Sequence, residues 1–289
     1  MAGPARGEQF EVGPAPQLRG EAAGEGTPIV LCHGITATRR YVVHGSRLLE
    51  RAGFRTVSYD ARGHGESDPA PAGEGYGYPW LVDDLERVIE QQVGSQRFLL
   101  AGHSMGAHTV VAYALRHRAT LAERLSGLVV IGPVFRGGEI PDSAYSYWDG
   151  LAAALERGGV EGFVEFIDRE QASMAPAFRD SVLRFTRERM LGHKHLNAVL
   201  AALRETPRSR PFEEISELRG IEVPALVVAS HDEADPGHPY RSAVAYAEAL
   251  PQATLVSEEE GQSPLAWQGG RLSRQIASFQ ESLSSSSLL

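Results

Sequence analysis

The chain has 289 residues and a net charge of −9, and 42% of its residues are hydrophobic. That length and apolar content suffice for a sizeable buried core in one large domain or two small ones. The acidic balance, with no block of Lys and Arg, excludes a nucleic-acid footprint, and a single cysteine, Cys32, excludes an intrachain disulfide framework.

The N-terminal stretch carries no apolar leader segment, and no run reaches the roughly 18 residues of a membrane span. A soluble cytoplasmic chain without a membrane partner is therefore expected. Residues 1–25 are rich in Gly, Pro and Glu and suit short edge strands. Short apolar runs then alternate with helical patterns. Residues 28–34 (PIVLCHG), 54–60 (FRTVSYD), 97–103 (RFLLAGH), 125–132 (LSGLVVIG) and 223–230 (VPALVVAS) read as strands, and 253–257 (ATLVS) as a weaker sixth. Several are apolar throughout, as strands of a sheet covered on both faces are. Between them, Leu81, Leu85, Val88 and Ile89 share one helical face, as do Leu272, Ile276, Phe279 and Leu283. Strands alternating with helices imply an α/β fold with right-handed βαβ units.

Residues 136–211 break the alternation, showing helical patterns and no strand. A helical insertion of this size between two strands is a cap candidate. The expected organisation is a core of residues 1–135 and 212–289 with a cap of 136–211.

Gly102-His103-Ser104-Met105-Gly106 matches G-x-S-x-G between a predicted strand and a predicted helix. In that context the glycines permit a strained turn that exposes Ser104 at its apex as a nucleophile. His33-Gly34-Ile35-Thr36 directly follows another strand. The N–H of Ile35 could pair with that of Met105 to hold an oxyanion, helped by the positive end of the helix after Ser104. His33 reads either as a structural histidine bonded to nearby backbone or as part of the pocket wall.

These two stretches and Tyr59–Asp68 (YDARGHGESD), in this order, resemble the capped α/β-hydrolases: esterases, epoxide hydrolases and cofactor-free haloperoxidases. The resemblance covers residues from about Gln17 to Phe279. It implies an eight-stranded, mostly parallel sheet flanked by helices, a Ser-His-Asp triad and ester or related acyl chemistry. It assigns His64 to the scaffold. It places the acid after the strand that follows the cap, where Asp232 and Asp235 compete. Asp235-Pro236-Gly237-His238-Pro239 fits the family's D-P-x-x-P pattern, which favours Asp235.

The family's histidine comes after the last strand, behind a glycine. Here that place reads Gly261-Gln262, and no histidine follows His238. A glutamine amide cannot take a proton, and without a base a serine hydroxyl is a weak nucleophile. Four readings follow. Another histidine substitutes: His238 beside Asp235, or His193, His195 or His103. The last loop is misaligned. Gln262 is a substitution in an otherwise ordinary triad. Or Ser104 is not used hydrolytically, and the protein is a ligand-binding receptor or a cyclase- or isomerase-type catalyst. Glu259 in the acidic Ser257–Gly261 stretch reads as a solvated charge, with a raised-pKa base as the sharper alternative.

On the substrate side, residues 136–211 carry aromatic and Met side chains, among them Tyr147, Trp148, Phe166, Met174 and Phe178. Most read as packing within that insertion. Trp148 and Phe166, with Val134 and Met105 beneath, are expected to line an apolar pocket for a small apolar ester. No phosphate loop or dinucleotide motif occurs. His193-Lys194-His195 lacks a third ligand in view, so neither a metal nor another cofactor is expected.

Overall fold

The computed structural model describes residues 7–170, 176–233 and 235–286. Eight strands form one sheet: β1 (Glu8–Val12), β2 (Leu18–Ala23), β3 (Thr27–Cys32), β4 (Phe54–Tyr59), β5 (Phe98–His103), β6 (Leu125–Ile131), β7 (Ala225–Val228) and β8 (Ala253–Val256). Their spatial order is β1-β2-β4-β3-β5-β6-β7-β8. β2 runs antiparallel to β1 and β4, and the pairs from β4 to β8 are parallel. The central strands β5 and β7 are buried along nearly their whole length, which is why they read as unbroken apolar runs. β1 sits at the edge, and only Phe10 and Val12 of it are buried.

The helices are α1 (Leu48–Arg51), α2 (Tyr78–Gln92), α3 (Met105–Arg116), α4 (Leu121–Arg124), α5 (Ser146–Glu170), α6 (Pro176–Leu191), α7 (Leu196–Glu205), α8 (Tyr240–Ala249) and α9 (Gly269–Ser286). One face of the sheet packs against α2, α3 and α8 through Leu85, Val88, Val110 and Tyr246. The other packs against α1 and α9 through Leu49, Leu272 and Ile276. No helix among the described residues is long and apolar enough to cross a membrane.

Between β6 and β7 run α5, α6 and α7, which build a separate apolar cluster of Leu151, Leu155, Phe163, Met190 and Leu203. Gly159 (φ 58°, ψ −147°) bends α5 partway along its length, a conformation open to glycine and strained for other residues. Ile35, in the loop after β3, packs against this cluster and also touches the one around Met105. The helical layer therefore meets the sheet at the C-terminal ends of its strands.

Candidate active site

β5 ends at His103 and α3 begins at Met105, leaving Ser104 alone at the turn with φ 54° and ψ −113°. The flanking glycines are forced by close approach. A Cβ on Gly102 would strike the Gly106 carbonyl, and one on Gly106 would strike the Cys32 carbonyl at the end of β3. The Ser104 N–H donates to the Ile131 carbonyl of β6 at 2.9 Å. A Cβ on Gly34 would stand 3.2 Å from Ser104 Cβ, so the loop after β3 lies directly against the serine. Among the described residues, no group accepts a hydrogen bond from the N–H of Ile35 or Met105. Both donors are available beside Ser104.

That loop is itself braced. His193, between α6 and α7, donates from Nε2 to the Thr36 carbonyl at 3.1 Å. Its Nδ1 accepts the Gly65 N–H at 2.9 Å. His33 donates from Nδ1 to the Gly34 carbonyl at 2.8 Å and accepts the Ala61 N–H on Nε2 at 2.9 Å. Both nitrogens of each ring are committed to backbone. His33 therefore belongs to the scaffold and offers nothing to a pocket, and His193 has no nitrogen left for use as a base. Burial pushes the His193 pKa down to about 4. His64 is likewise buried, with Nδ1 on the Arg62 carbonyl at 2.9 Å.

On the other side of the turn stands the loop after β7. Asp235 is buried, and its Oδ2 accepts from His238 Nδ1 at 2.8 Å. The His238 ring lies 5.0 Å, centroid to centroid, from that of His103, the residue before Ser104. A Cβ on Gly132, next to the Ile131 that holds Ser104, would meet the His238 ring at 3.2 Å. His238 is thus seated on the nucleophile turn. Because Nδ1–H is spent on Asp235, Nε2 is the acceptor nitrogen, and it makes no hydrogen bond among the described residues. Burial works against the charged form of His238. The Asp235 carboxylate more than offsets it, Arg189 opposes it, and the net shift is upward. His103 is half-buried, with its Nε2 buried and unpartnered, and desolvation and the His238 ring hold its pKa well below the ordinary range. Asp232 is exposed, and its Oδ1 accepts the Tyr240 N–H at the start of α8.

Gln262 makes no hydrogen bond to this group among the described residues. Its Nε2 donates to Glu259 Oε2 at 2.8 Å, and its Oε1 accepts from Arg271 of α9. Both ends of the amide are held by charged neighbours in its own loop and the following helix. Glu259 is exposed. The neighbouring Glu258 is buried and bridges two loops, accepting the His231 and Leu265 N–H groups at 2.7 Å each.

The side chains expected to form the pocket wall are dispersed. Phe166 is buried in the helical cluster against Tyr147, their ring centroids 5.8 Å apart, so it packs that layer instead of facing a cavity. Trp148 is half-buried beside Tyr147. Val134 is exposed, and its N–H is held by His108 Nε2 at 3.0 Å. Met174 and the side chain of Phe178 lie outside the described residues. A surface groove of about 610 Å³ passes His195 and Lys194 at the flank, away from Ser104. No group of three or more His, Cys, Asp or Glu among the described residues is placed to hold a metal ion.

One side chain here had no signal in the sequence. Arg189 of α6 has a buried Nε without a partner and carries its charge into the neighbourhood of Asp235 and His238. In the stretch RFTRERM it reads as one of several charges on a solvated helix face.

Comparison with known proteins places this geometry. The AB hydrolase superfamily protein YisY of Bacillus subtilis is 33% identical over 115 residues, 40% of this chain and 42% of its own length. The chain thus spans about two fifths of that relative. A putative carbamate hydrolase, RutD, of Agrobacterium fabrum is 28% identical over 83% of this chain and 87% of its own. Among solved structures, a thermophilic esterase from Thermogutta terrifontis superposes with a TM-score of 0.74 at 22% identity, covering 96% of this chain and 99% of its own. The family model for the alpha/beta hydrolase fold matches residues 27–268, from β3 to the start of α9. The chain belongs to the α/β-hydrolase family.

Proposed function

We propose that the protein is a serine hydrolase of the carboxylesterase type, in which His238 serves as the base that the β8–α9 loop does not supply. The observation that carries this reading is the Asp235–His238 contact of 2.8 Å, set against the turn that presents Ser104. Asp235 holds His238 in the tautomer whose Nε2 can take a proton, the part an orienting acid plays in a triad. In the first half-reaction His238 Nε2 takes the Ser104 proton while Oγ attacks the ester carbonyl carbon. The N–H groups of Ile35 and Met105 receive the negative oxygen. The C–O bond then breaks, and His238 returns the proton to the departing alkoxide. Water repeats the sequence on the acyl-enzyme and releases the acid. Residues 136–211 act as the cap over this centre, and small esters with an apolar body are the substrate class. The relatives' names, esterase and carbamate hydrolase among them, agree with hydrolytic chemistry.

The test is labelling with a fluorophosphonate probe, read by intact mass. One adduct is expected, mapping to Ser104 and absent from Ser104→Ala. His238→Ala should slow both labelling and turnover of a short p-nitrophenyl ester by about 10²–10⁴-fold, the span of a positioned base. No adduct on folded protein would sink the hydrolase reading. It would leave a pocket protein that binds or isomerises its ligand without an acyl-enzyme.

A further inference from the structure

We propose that Arg189 is the recognition residue for a carboxylate on the substrate, so that the site takes esters whose acyl chain ends in a free acid, such as half-esters of short dicarboxylic acids. This rests on the reading of Ser104 as an ester-cleaving nucleophile and narrows its substrate class.

The observation is an unanswered cation. A guanidinium has five N–H donors in a planar fork. Arg189 uses one group among the described residues, Nη2 to Thr186 Oγ1 of its own helix at 3.2 Å, and its buried Nε has no partner. Arg62 and Arg39 are, by contrast, well paired. Arg62 binds both oxygens of Asp84 at 2.6 and 2.8 Å and also Glu74 at 2.7 Å. Arg39 binds Asp60 and Glu66. Arg189 makes no salt bridge among the described residues, and Asp235 accepts its side-chain hydrogen bond from His238 instead. Leaving a buried guanidinium N–H without an acceptor is costly, and the missing partner is supplied if the ligand brings it.

The place is right for a substrate. Phe185 and Arg189 lie four residues apart, on one face of α6. The Phe185 ring is 6.4 Å from that of His44, which is 5.9 Å from Tyr41, both in the segment that follows the oxyanion loop. Met190, the residue after Arg189, packs in the apolar cluster that Ile35 of the oxyanion loop joins. Burial raises the Tyr41 and Tyr147 hydroxyl pKa values, and the Arg189 charge opposes that rise. A planar guanidinium with unused donors matches a carboxylate in charge and shape.

The experiment separates binding from turnover. Monomethyl adipate and methyl hexanoate, a charged and a neutral ester of equal acyl length, are titrated calorimetrically into Ser104→Ala, alone and combined with Arg189→Met or Arg189→Lys. Circular dichroism melts check that each variant is folded. The expected result is that Ser104→Ala binds monomethyl adipate at least about tenfold more tightly than methyl hexanoate, the least that a charge-assisted hydrogen bond contributes. Arg189→Met should erase that ratio, and Arg189→Lys should keep part of it. Equal binding of the two esters, no binding of either, or a ratio that survives Arg189→Met overturns the proposal. A preference for the charged ester without turnover by the parent enzyme would instead overturn the hydrolase reading and leave the carboxylate site standing.

Discussion

His238 and Asp235 belong to one short turn, three residues apart, and their pairing sets how activity should respond to pH. The base must be neutral to accept a proton, and its pKa in the fold lies above the ordinary value near 6.5. The value of kcat/KM should therefore rise with pH along a limb above 6.5. In Asp235→Asn the group that raises His238 is gone, while burial and Arg189 still lower it. The limb should then move to lower pH as its plateau falls by about 10²–10⁴-fold. A pH–rate profile of both proteins checks this, and an unmoved limb would mean that another group is titrating. The identity of the proposed base was only half legible in the chain. The pattern Asp235-x-x-His238 is plain to read, but its use depends on Gly132 and His103 leaving room for the ring, which is a matter of three strands meeting. Arg189 was not legible at all. Nothing in RFTRERM separates an arginine with a buried, unpaired Nε from its paired or solvated neighbours, because that burial is decided by what α6 lies against.

At the level of elements, the strands were readable because parallel strands buried on both faces become apolar runs, and β3 to β7 fall on the runs that suggest them. The G-x-S-x-G turn was readable because its glycines answer backbone collisions that no side chain can escape. The acidic stretch Ser257–Gly261 was not, since adjacent glutamates look alike in sequence. Only the fold turns Glu258 inward, to join the loop after β7 to the segment before α9. Glu258→Ala leaves two N–H groups without their acceptor, one of them on Leu265, which is itself buried. It should destabilise the fold by about 2–6 kcal/mol, at about 1–3 kcal/mol for each unmade bond. Urea denaturation of the variant measures this. A loss below about 0.5 kcal/mol, the size of an ordinary surface substitution, would show that the bridge carries little.

For the molecule as a whole, buried neutral histidines govern the response to acid. Burial lowers the pKa of His33, His64 and His103, and brings His44 to about 4, His108 to about 3 and His193 to about 4. Hydrogen bonds explain why they resist charging. His108 Nε2 accepts the Val134 and Phe135 N–H groups at 3.0 and 3.1 Å, and His33 and His193 each accept one backbone N–H. Protonation would remove those acceptors. Each of these groups has a folded pKa below its unfolded value near 6.5, so the unfolded chain binds more protons in the interval between. Their stabilising contribution is complete above pH 6.5 and is lost as pH falls from there towards about 4. The melting temperature should drop steeply between about pH 6.5 and 5, before most carboxylates titrate. A flat melting curve over that range would contradict the neutral-histidine account.

The backbone at Ser104 gives the protein a history as well as a geometry. A non-glycine residue at φ 54° and ψ −113° carries about 1–3 kcal/mol of strain, and glycine would hold the same turn with almost none. Selection for a durable fold alone would have drifted towards that relief. On the proposed role of Ser104, a chain that keeps a hydroxyl in this strained position exchanges some thermal resilience for reactivity.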